Sequence, residues 1–178
     1  TAAGGFCVFN DIAVGARRML EDGRVKRAMV IDCDLHQGNG TAALLQKDPT
    51  VFTFSIHGKN NFPYRKERSD LDIALDDETD DQVYLDALEK GVRASLKQAR
   101  ADAVIYLAGA DPYSSDRFGR LDLSKEGLAK RDRLVLQYCH NAGLPVAVTM
   151  AGGYAPNIED TVDIHFQTVC IAAEFQNK

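Results

Sequence analysis

The sequence predicts an α/β domain with three layers, a mostly parallel sheet carrying helices on both faces. Three observations predict it. Four apolar, β-branched runs stand at 28–34 (AMVIDCD), 51–56 (VFTFSI), 101–109 (ADAVIYLAG) and 144–152 (LPVAVTMAG); near-continuous apolarity is what strands buried on both faces require. Segments of helical periodicity lie between and around them. Alternation of the two implies crossover connections, and hence parallel strands with helices packed above and below.

The elements follow in order. In 10–20, Ile12, Ala16, Met19 and Leu20 share one helical face, and Gly23 supplies a stop. The first strand run, 28–34, ends in two aspartates, and the second, 51–56, in Ser55 and Ile56. The acidic run DDETDD at 76–81 reads as a solvated loop and helix start, because carboxylates suit the positive end of a helix dipole. Leu85, Leu88, Val92, Leu96 and Ala99 then define a helix over 82–100. After the third run, a helix over 124–142 carries Leu128, Val135, Tyr138 and Ala142 and ends at Gly143 and Pro145. A last helix fills 158–175. No repeat, low-complexity segment or linker divides the chain, so a single domain over 1–178 is expected.

Composition excludes some classes of function. The 45% hydrophobic and 26% charged content is that of an ordinary globular protein, and no apolar stretch approaches the roughly 20 residues of a membrane span. A net charge of −5 argues against direct nucleic-acid binding, which relies on clustered Lys and Arg. Cys7, Cys33, Cys139 and Cys170 form no C-x-x-C pair and lie in apolar settings that read as core. They point to a reducing compartment, the cytoplasm, or the nucleus in a eukaryote. The opening TAAGGFCVFND has neither a signal-peptide pattern nor an initiator Met, and reads as the interior of a domain; an upstream segment is expected.

Chemistry gathers where the strand runs end. Asp32, Asp34 and His36 close the first, Ser55 and His57 the second, Asp111 the third, and Gly152-Gly153-Tyr154 the fourth. Ligands of open parallel sheets sit beyond the carboxyl ends of the strands, so four loaded ends describe a site. The two-residue spacing of Asp32, Asp34 and His36 turns all three to one face if the strand continues that far. Mixed carboxylate and imidazole donors suit zinc or a similar divalent ion, and Asp, His and Asp111 leave an open fourth position of the kind found in catalytic sites. Spacing alone leaves a metal site and structural, hydrogen-bonding carboxylates both open. By the same default Phe6 and Phe62 read as core or loop packing, RKER at 65–68 as a solvated loop, Arg17 and Arg18 as helix-surface charges, and His140 and His165 as solvent or packing residues.

The segments GGFCVFNDIAVGARRML, VIDCDLHQGNGT, LAGADPYSSDRFGRL and AGGY, in this order and spacing, resemble the zinc-dependent histone deacetylase family. HQGNG, YRKERSDLDIALDDETDDQVYLDAL and KRDRLV are most similar to its class IV branch and bacterial relatives. The resemblance implies an arginase/deacetylase-like fold, incomplete at the N-terminus, and hydrolysis of an N-acyl-lysine of proteins such as histones. It implies Asp34, His36 and Asp111 as ligands of zinc, with iron(II) as the other ion the family admits. Asp32 becomes partner to a catalytic histidine and, with Ser55 and the backbone oxygens of Asp34, His36 and Ile56, part of a structural potassium site. Tyr154 becomes the catalytic phenol, on a flexible Gly-Gly hinge; Gly5, Phe6 and Phe62 become walls of the acyl-lysine channel; Asn39 and His57 become supporting residues behind the ligands.

The family's general base is a His-His pair upstream of GGFC, and none of His36, His57, His140 and His165 replaces it. Asn39 stands where relatives often carry a carboxylate, and NNFPYRKERSD departs from a glycine-rich loop, leaving the channel rim open. Three other readings stand beside the leading one. They are a deacetylase of acetylpolyamines or other small amides, a binuclear manganese hydrolase of arginase type, and a catalytically incomplete module that binds metal and acyl-lysine.

Overall fold

The computed structural model describes residues 4–176, so the outermost ends of the expected 1–178 domain lie outside the described residues. Along them run α1 (Asp11–Glu21), β1 (Ala28–Asp32), α2 (Asn39–Leu45), β2 (Val51–Gly58), β3 (Leu71–Leu75), α3 (Asp81–Ala99), β4 (Ala103–Ala108), α4 (Lys125–Asn141), β5 (Val146–Met150) and α5 (Ile158–Gln176). The strands form one sheet in the order β3-β2-β1-β4-β5, with every pairing parallel. The expected α/β class with helices on both faces is therefore observed.

Side-chain alternation divides the core into its two faces. Met29 and Ile31 of β1 join Phe52, Phe54, Val104 and Tyr106 in the larger cluster, beneath Leu88 and Val92 of α3, Leu128 and Val135 of α4 and Ile164 of α5. The intervening Ala28 and Val30 turn the other way and meet Val51, Ile105, Leu45 of α2 and Ile12, Ala13 and Ala16 of α1. Helix starts are fixed locally: Asn10, Asp80 and Ser124 each accept a hydrogen bond from the amide three residues on, at 2.7, 2.9 and 2.9 Å, satisfying donors that a helix N-terminus leaves free.

Some expectations need correction. In α3 the buried line is Tyr84, Leu88, Gly91, Val92, Ser95 and Ala99, with Leu85 and Leu96 only partly covered; the helix is turned so that two residues that look less apolar are fully buried. Cys33 and Cys139 are core, but Cys7 and Cys170 are exposed. Two short elements, β3 and α2, add to those the sequence pattern predicts. The acidic run divides as expected, with Asp80 as N-cap and Asp81 in the first turn of α3.

The order of strands places the site. From β1 the chain steps outward through β2 to β3, then crosses to β4 on the opposite side of β1. The carboxyl ends of β1 and β4 are neighbours whose following loops leave in different directions, the switch point where such sheets open a crevice. Asp34 and His36 follow β1, and Asp111 follows β4.

Candidate metal centre

Asp34, His36 and Asp111 converge, with one donor atom from each lying within 4.8 Å of the others. His36 Nδ1 is 3.2 Å from Asp34 Oδ1 and 3.0 Å from Asp111 Oδ2. Tetrahedral zinc with bonds of about 2.0–2.1 Å requires ligand atoms about 3.3 Å apart, close to the two separations from His36. The His36 side chain keeps 23% of its surface exposed and Asp34 14%, against 0% for Asp111, which leaves one side of the cluster open to solvent. The convergence does not come from strand alternation, because β1 ends at Asp32. Beyond it the backbone turns back on its own carboxylates: Asp34 N donates to Asp32 Oδ1 at 3.1 Å and His36 N to Asp34 Oδ1 at 2.8 Å. Leu35 N then reaches across to Asp111 Oδ1 at 2.9 Å.

The charges of this cluster are interdependent. Burial works against the imidazolium of His36, but its hydrogen bonds to Asp111 and Asp34 overcome that and push it up to about 10. Burial and the charge of Asp34 raise Asp111 to about 7 and Asp32 well above the carboxylate range. Asp34 is held low despite its burial, by hydrogen bonds from His36 and from the amides of Gly152 and His36. Two carboxylates and an imidazole that share protons in this way, with Asp32 adding negative charge behind them, form a donor set from which a divalent cation can displace protons.

Tyr154 is not on a flexible hinge. Gly152 N donates to Asp34 Oδ2 at 2.7 Å, Gly152 O accepts from Ala110 N at 2.6 Å, and Tyr154 N donates to Asp116 Oδ2 at 2.6 Å. Neither Gly152 nor Gly153 has a positive φ. A Cβ on Gly152 would lie 2.1 Å from Asp111 Oδ2, and one on Gly153 2.6 Å from Thr161 Cγ2. The glycines are there for close approach, and the backbone through them is pinned. The Tyr154 ring lies 5.8 Å from Phe6 and 5.2 Å, edge-on, from Phe118. Burial, with the charges of Asp111, Asp34 and Asp116, raises its phenol, so it stays protonated at neutral pH.

Phe6 is 84% exposed and Phe62 44%, so neither is core. Gly5 lies between them, a Cβ on it reaching to 3.9 Å from Phe62 Cε1. Gly5 and Phe6, both at positive φ, thus stand with Phe62 and Tyr154 on one surface.

The family model described as "Histone deacetylase domain" matches residues 1–169. This chain belongs to the histone deacetylase family. An uncharacterized protein of Picosynechococcus sp. is 47% identical over 161 residues, covering 90% of this chain and 54% of its own. Histone deacetylase 2 of Arabidopsis thaliana is 31% identical over 154 residues, 85% of this chain and 40% of its own. Among solved structures, an acetylpolyamine aminohydrolase from Burkholderia pseudomallei superposes with a TM-score of 0.82 at 22% identity, over 97% of this chain and 52% of that one. A deacetylase homologue from Aquifex aeolicus gives 0.82 at 23%, over 96% and 48%. The chain thus spans about half the length of these relatives.

Within this histone deacetylase domain, the residues expected at a second cation are also neighbours. Asp32 of β1 and Ser55 of β2 are register partners, both buried, and Ser55 is followed by Ile56. His57, almost fully buried, approaches Ser55 Oγ with Nδ1 at 3.0 Å, so it supports Ser55 rather than the metal triad. Burial, opposed by Asp72 and reinforced by Lys66, lowers it to about 4. Asn39 opens α2. His140 is exposed and His165 half-buried behind Gly153.

Several contributors were not singled out from sequence. Asp116 accepts from Phe118 N, Gly119 N and Tyr154 N, tying the aromatic rim to the tyrosine. Lys66 is not a free loop charge, since it donates to the carbonyls of Asn61 and Pro63 at 2.7 Å each. Arg131 and Asp132 form a buried pair on α4. The sequence signal for each was its place in a family-like segment, Asp116 in LAGADPYSSDRFGRL and the buried pair in KRDRLV; neither segment says what the side chains hold.

Proposed function

We propose that this chain carries the metal centre and oxyanion-side residues of a zinc-dependent hydrolase that removes an acetyl or related acyl group from N-acyl-lysine of proteins such as histones. The observation that carries the reading is the convergence of Asp34, His36 and Asp111 into a half-open donor set beside the pinned backbone of Tyr154. Asp34, His36 and Asp111 would hold the zinc; mixed oxygen and nitrogen donors favour it over magnesium or calcium, and iron(II) is the alternative ion. When bound, such an ion supplies a Lewis acid that polarises the acyl carbonyl and lowers the pKa of water.

The chain's own residues do the rest. Tyr154, protonated and flanked by Phe6 and Phe118, donates a hydrogen bond to the oxyanion as the carbonyl becomes tetrahedral. Its pinned backbone means that little reorganisation accompanies this. Phe6 and Phe62, with Gly5 between, grip the aliphatic stem of the lysine without requiring charge. Asp32, Ser55 and the carbonyls of Asp34, His36 and Ile56 would hold a potassium ion, which compensates a buried carboxylate that no cationic side chain meets among the described residues. Asp32 also stands behind the site, where it would be partner to a catalytic histidine. Asn39 would orient a catalytic imidazole, and His57 holds Ser55.

The test is metal analysis together with turnover of a fluorogenic acetyl-lysine peptide by the whole protein. One zinc per chain and loss of turnover in His36→Ala and Asp111→Ala are expected; retained turnover in either overturns the assignment. Acetylated polyamine offered alongside the peptide decides between a protein and a small-amine substrate. Two metal ions per chain would indicate a binuclear hydrolase, and hydroxamate binding without turnover a binding module.

A further inference from the structure

Arg131 is the largest fully buried side chain among the described residues. From α4 it reaches the sheet between the ends of β1 and β4. Its Nη1 donates to the carbonyl of Gly109 at 2.5 Å and lies 3.5 Å from that of Cys33. These carbonyls stand immediately past the last residues of β4 and β1 in the ladder, Ala108 and Asp32. The last backbone bond between the two strand ends runs from Cys33 N to Leu107 O; beyond it the strands separate to open the crevice. Gly109 precedes Asp111 by two residues and Cys33 precedes Asp34 by one.

The guanidinium is itself held. Its Nε donates to Asp132 Oδ1 at 2.8 Å, and Nη2 lies 2.8 Å from the same oxygen without a hydrogen bond of its own. Tyr106 of β4 donates its phenol to Asp132 Oδ1 at 2.5 Å, and Thr168 of α5 donates to Asp132 Oδ2 at 2.6 Å. Tyr106, Arg131, Asp132 and Thr168 are all buried. An ion pair this deep is weak evidence for stability, because an apolar pair of similar volume often serves as well. What an apolar pair cannot do is donate to two carbonyls on different strands.

We propose that Arg131, oriented by Asp132, Tyr106 and Thr168, is a positioning residue that sets the separation of the loops bearing Asp34 and Asp111, and with it the geometry of the metal site. This rests on the metal-centre reading above. Outer partners that orient ligands typically affect metal affinity by about 10- to 100-fold when removed.

The experiment uses the whole protein in four forms: wild type, His36→Ala, Arg131→Lys, and the double variant Arg131→Met with Asp132→Leu. Zinc dissociation constants by chelator competition, the d–d absorption of the cobalt(II)-loaded proteins, and thermal unfolding of the metal-free proteins are measured. The double variant is expected to stay folded yet bind zinc about 10- to 100-fold more weakly, with a shifted cobalt spectrum. Arg131→Lys keeps the charge but loses the fork, and is expected to restore neither affinity nor spectrum. Wild-type affinity and spectrum in the double variant overturn the proposal; if that variant does not fold, the same result in Arg131→Lys does so. His36→Ala separates the two levels. If it binds zinc as tightly as wild type, the metal centre is wrong and the proposal falls with it; if it binds weakly while both Arg131 variants match wild type, only the positioning role is lost.

Discussion

Gly152→Ala is the substitution whose effect the structure defines most sharply. The added methyl would lie 2.1 Å from Asp111 Oδ2, 2.7 Å from Asp111 Cγ and 2.9 Å from Asp34 Oδ2. An ordinary contact needs about 3.5 Å, so Asp111 must retreat by roughly 1.4 Å and Asp34 by roughly 0.6 Å. Neither carboxylate is free to do so, since Leu35 N holds Asp111 and Gly152 N holds Asp34. Metal sites tolerate deviations of about 0.2 Å. The expected result is a zinc dissociation constant raised by about 10- to 100-fold, with a stability loss of about 1–3 kcal/mol from overpacking. Gly153→Ala is the control: its methyl would meet Thr161 Cγ2 at 2.6 Å and Ala110 Cβ at 3.0 Å, neither of them a ligand. It should cost comparable stability and leave zinc affinity near that of wild type. Chelator competition and thermal unfolding on the two variants decide the matter. Wild-type zinc affinity in Gly152→Ala would refute the packing of Gly152 against the ligands as the reason for a glycine there.

Tyr154→Phe should lower kcat by roughly 100- to 1,000-fold with little change in KM, as expected for a donor that acts on the developing oxyanion; steady-state kinetics on acetyl-lysine peptide check this. Asp132→Ala, which strands the buried guanidinium of Arg131, should destabilise the fold by about 3–5 kcal/mol in urea unfolding, far more than Arg17→Ala at the exposed 3.5 Å contact with Asp48. His57 is held near 4 in the fold against 6.5 for the free side chain, so its unfolded form takes up a proton first. Its contribution to stability is therefore complete above about 6.5 and is lost as pH falls toward 4; between pH 7 and 5 the wild type should lose roughly 2 kcal/mol relative to His57→Asn. Equal pH slopes for the two proteins would remove the buried, neutral histidine from the account.

β1, β2 and β4 were legible because they are buried along nearly their whole length, and β5, though only partly covered, carries the same kind of apolar run. In β1 no polar residue falls before the last position, so AMVI announces the strand and Asp32 marks its limit. β3 escaped notice because it is an outer strand with only one covered face: Leu71, Ile73 and Leu75 alternate with Asp72 and Ala74, a period-2 signal diluted by the charged residues around it. α2 is a seven-residue helix whose buried positions are Thr41, Ala42 and Leu45, too few for a periodic pattern. The corrected face of α3 has a similar origin. Tyr84 and Ser95 rank low on any apolar scale, yet both are fully buried.

The candidate site divides along a different line. Residues that present donors to the crevice, Asp34, His36, Asp111 and Tyr154, are visible because their chemistry is out of place at the end of an apolar run. Those that hold the donors in place are harder to read. Asp116, Gly152, Arg131 and Asp132 all fall inside the family-like segments, but their residue types do not say which carboxylate, amide or carbonyl each one meets. What reveals them is three-dimensional: strand ends that separate to make room for a ligand leave backbone carbonyls outside the ladder, and buried carbonyls must find donors. On that reasoning, a charged residue on a covering helix of such a sheet should be weighed against the open strand ends beneath it before it is assigned to solvent. In this chain the buried arginine of KRDRLV is the one whose donors lie between the two metal-ligand loops.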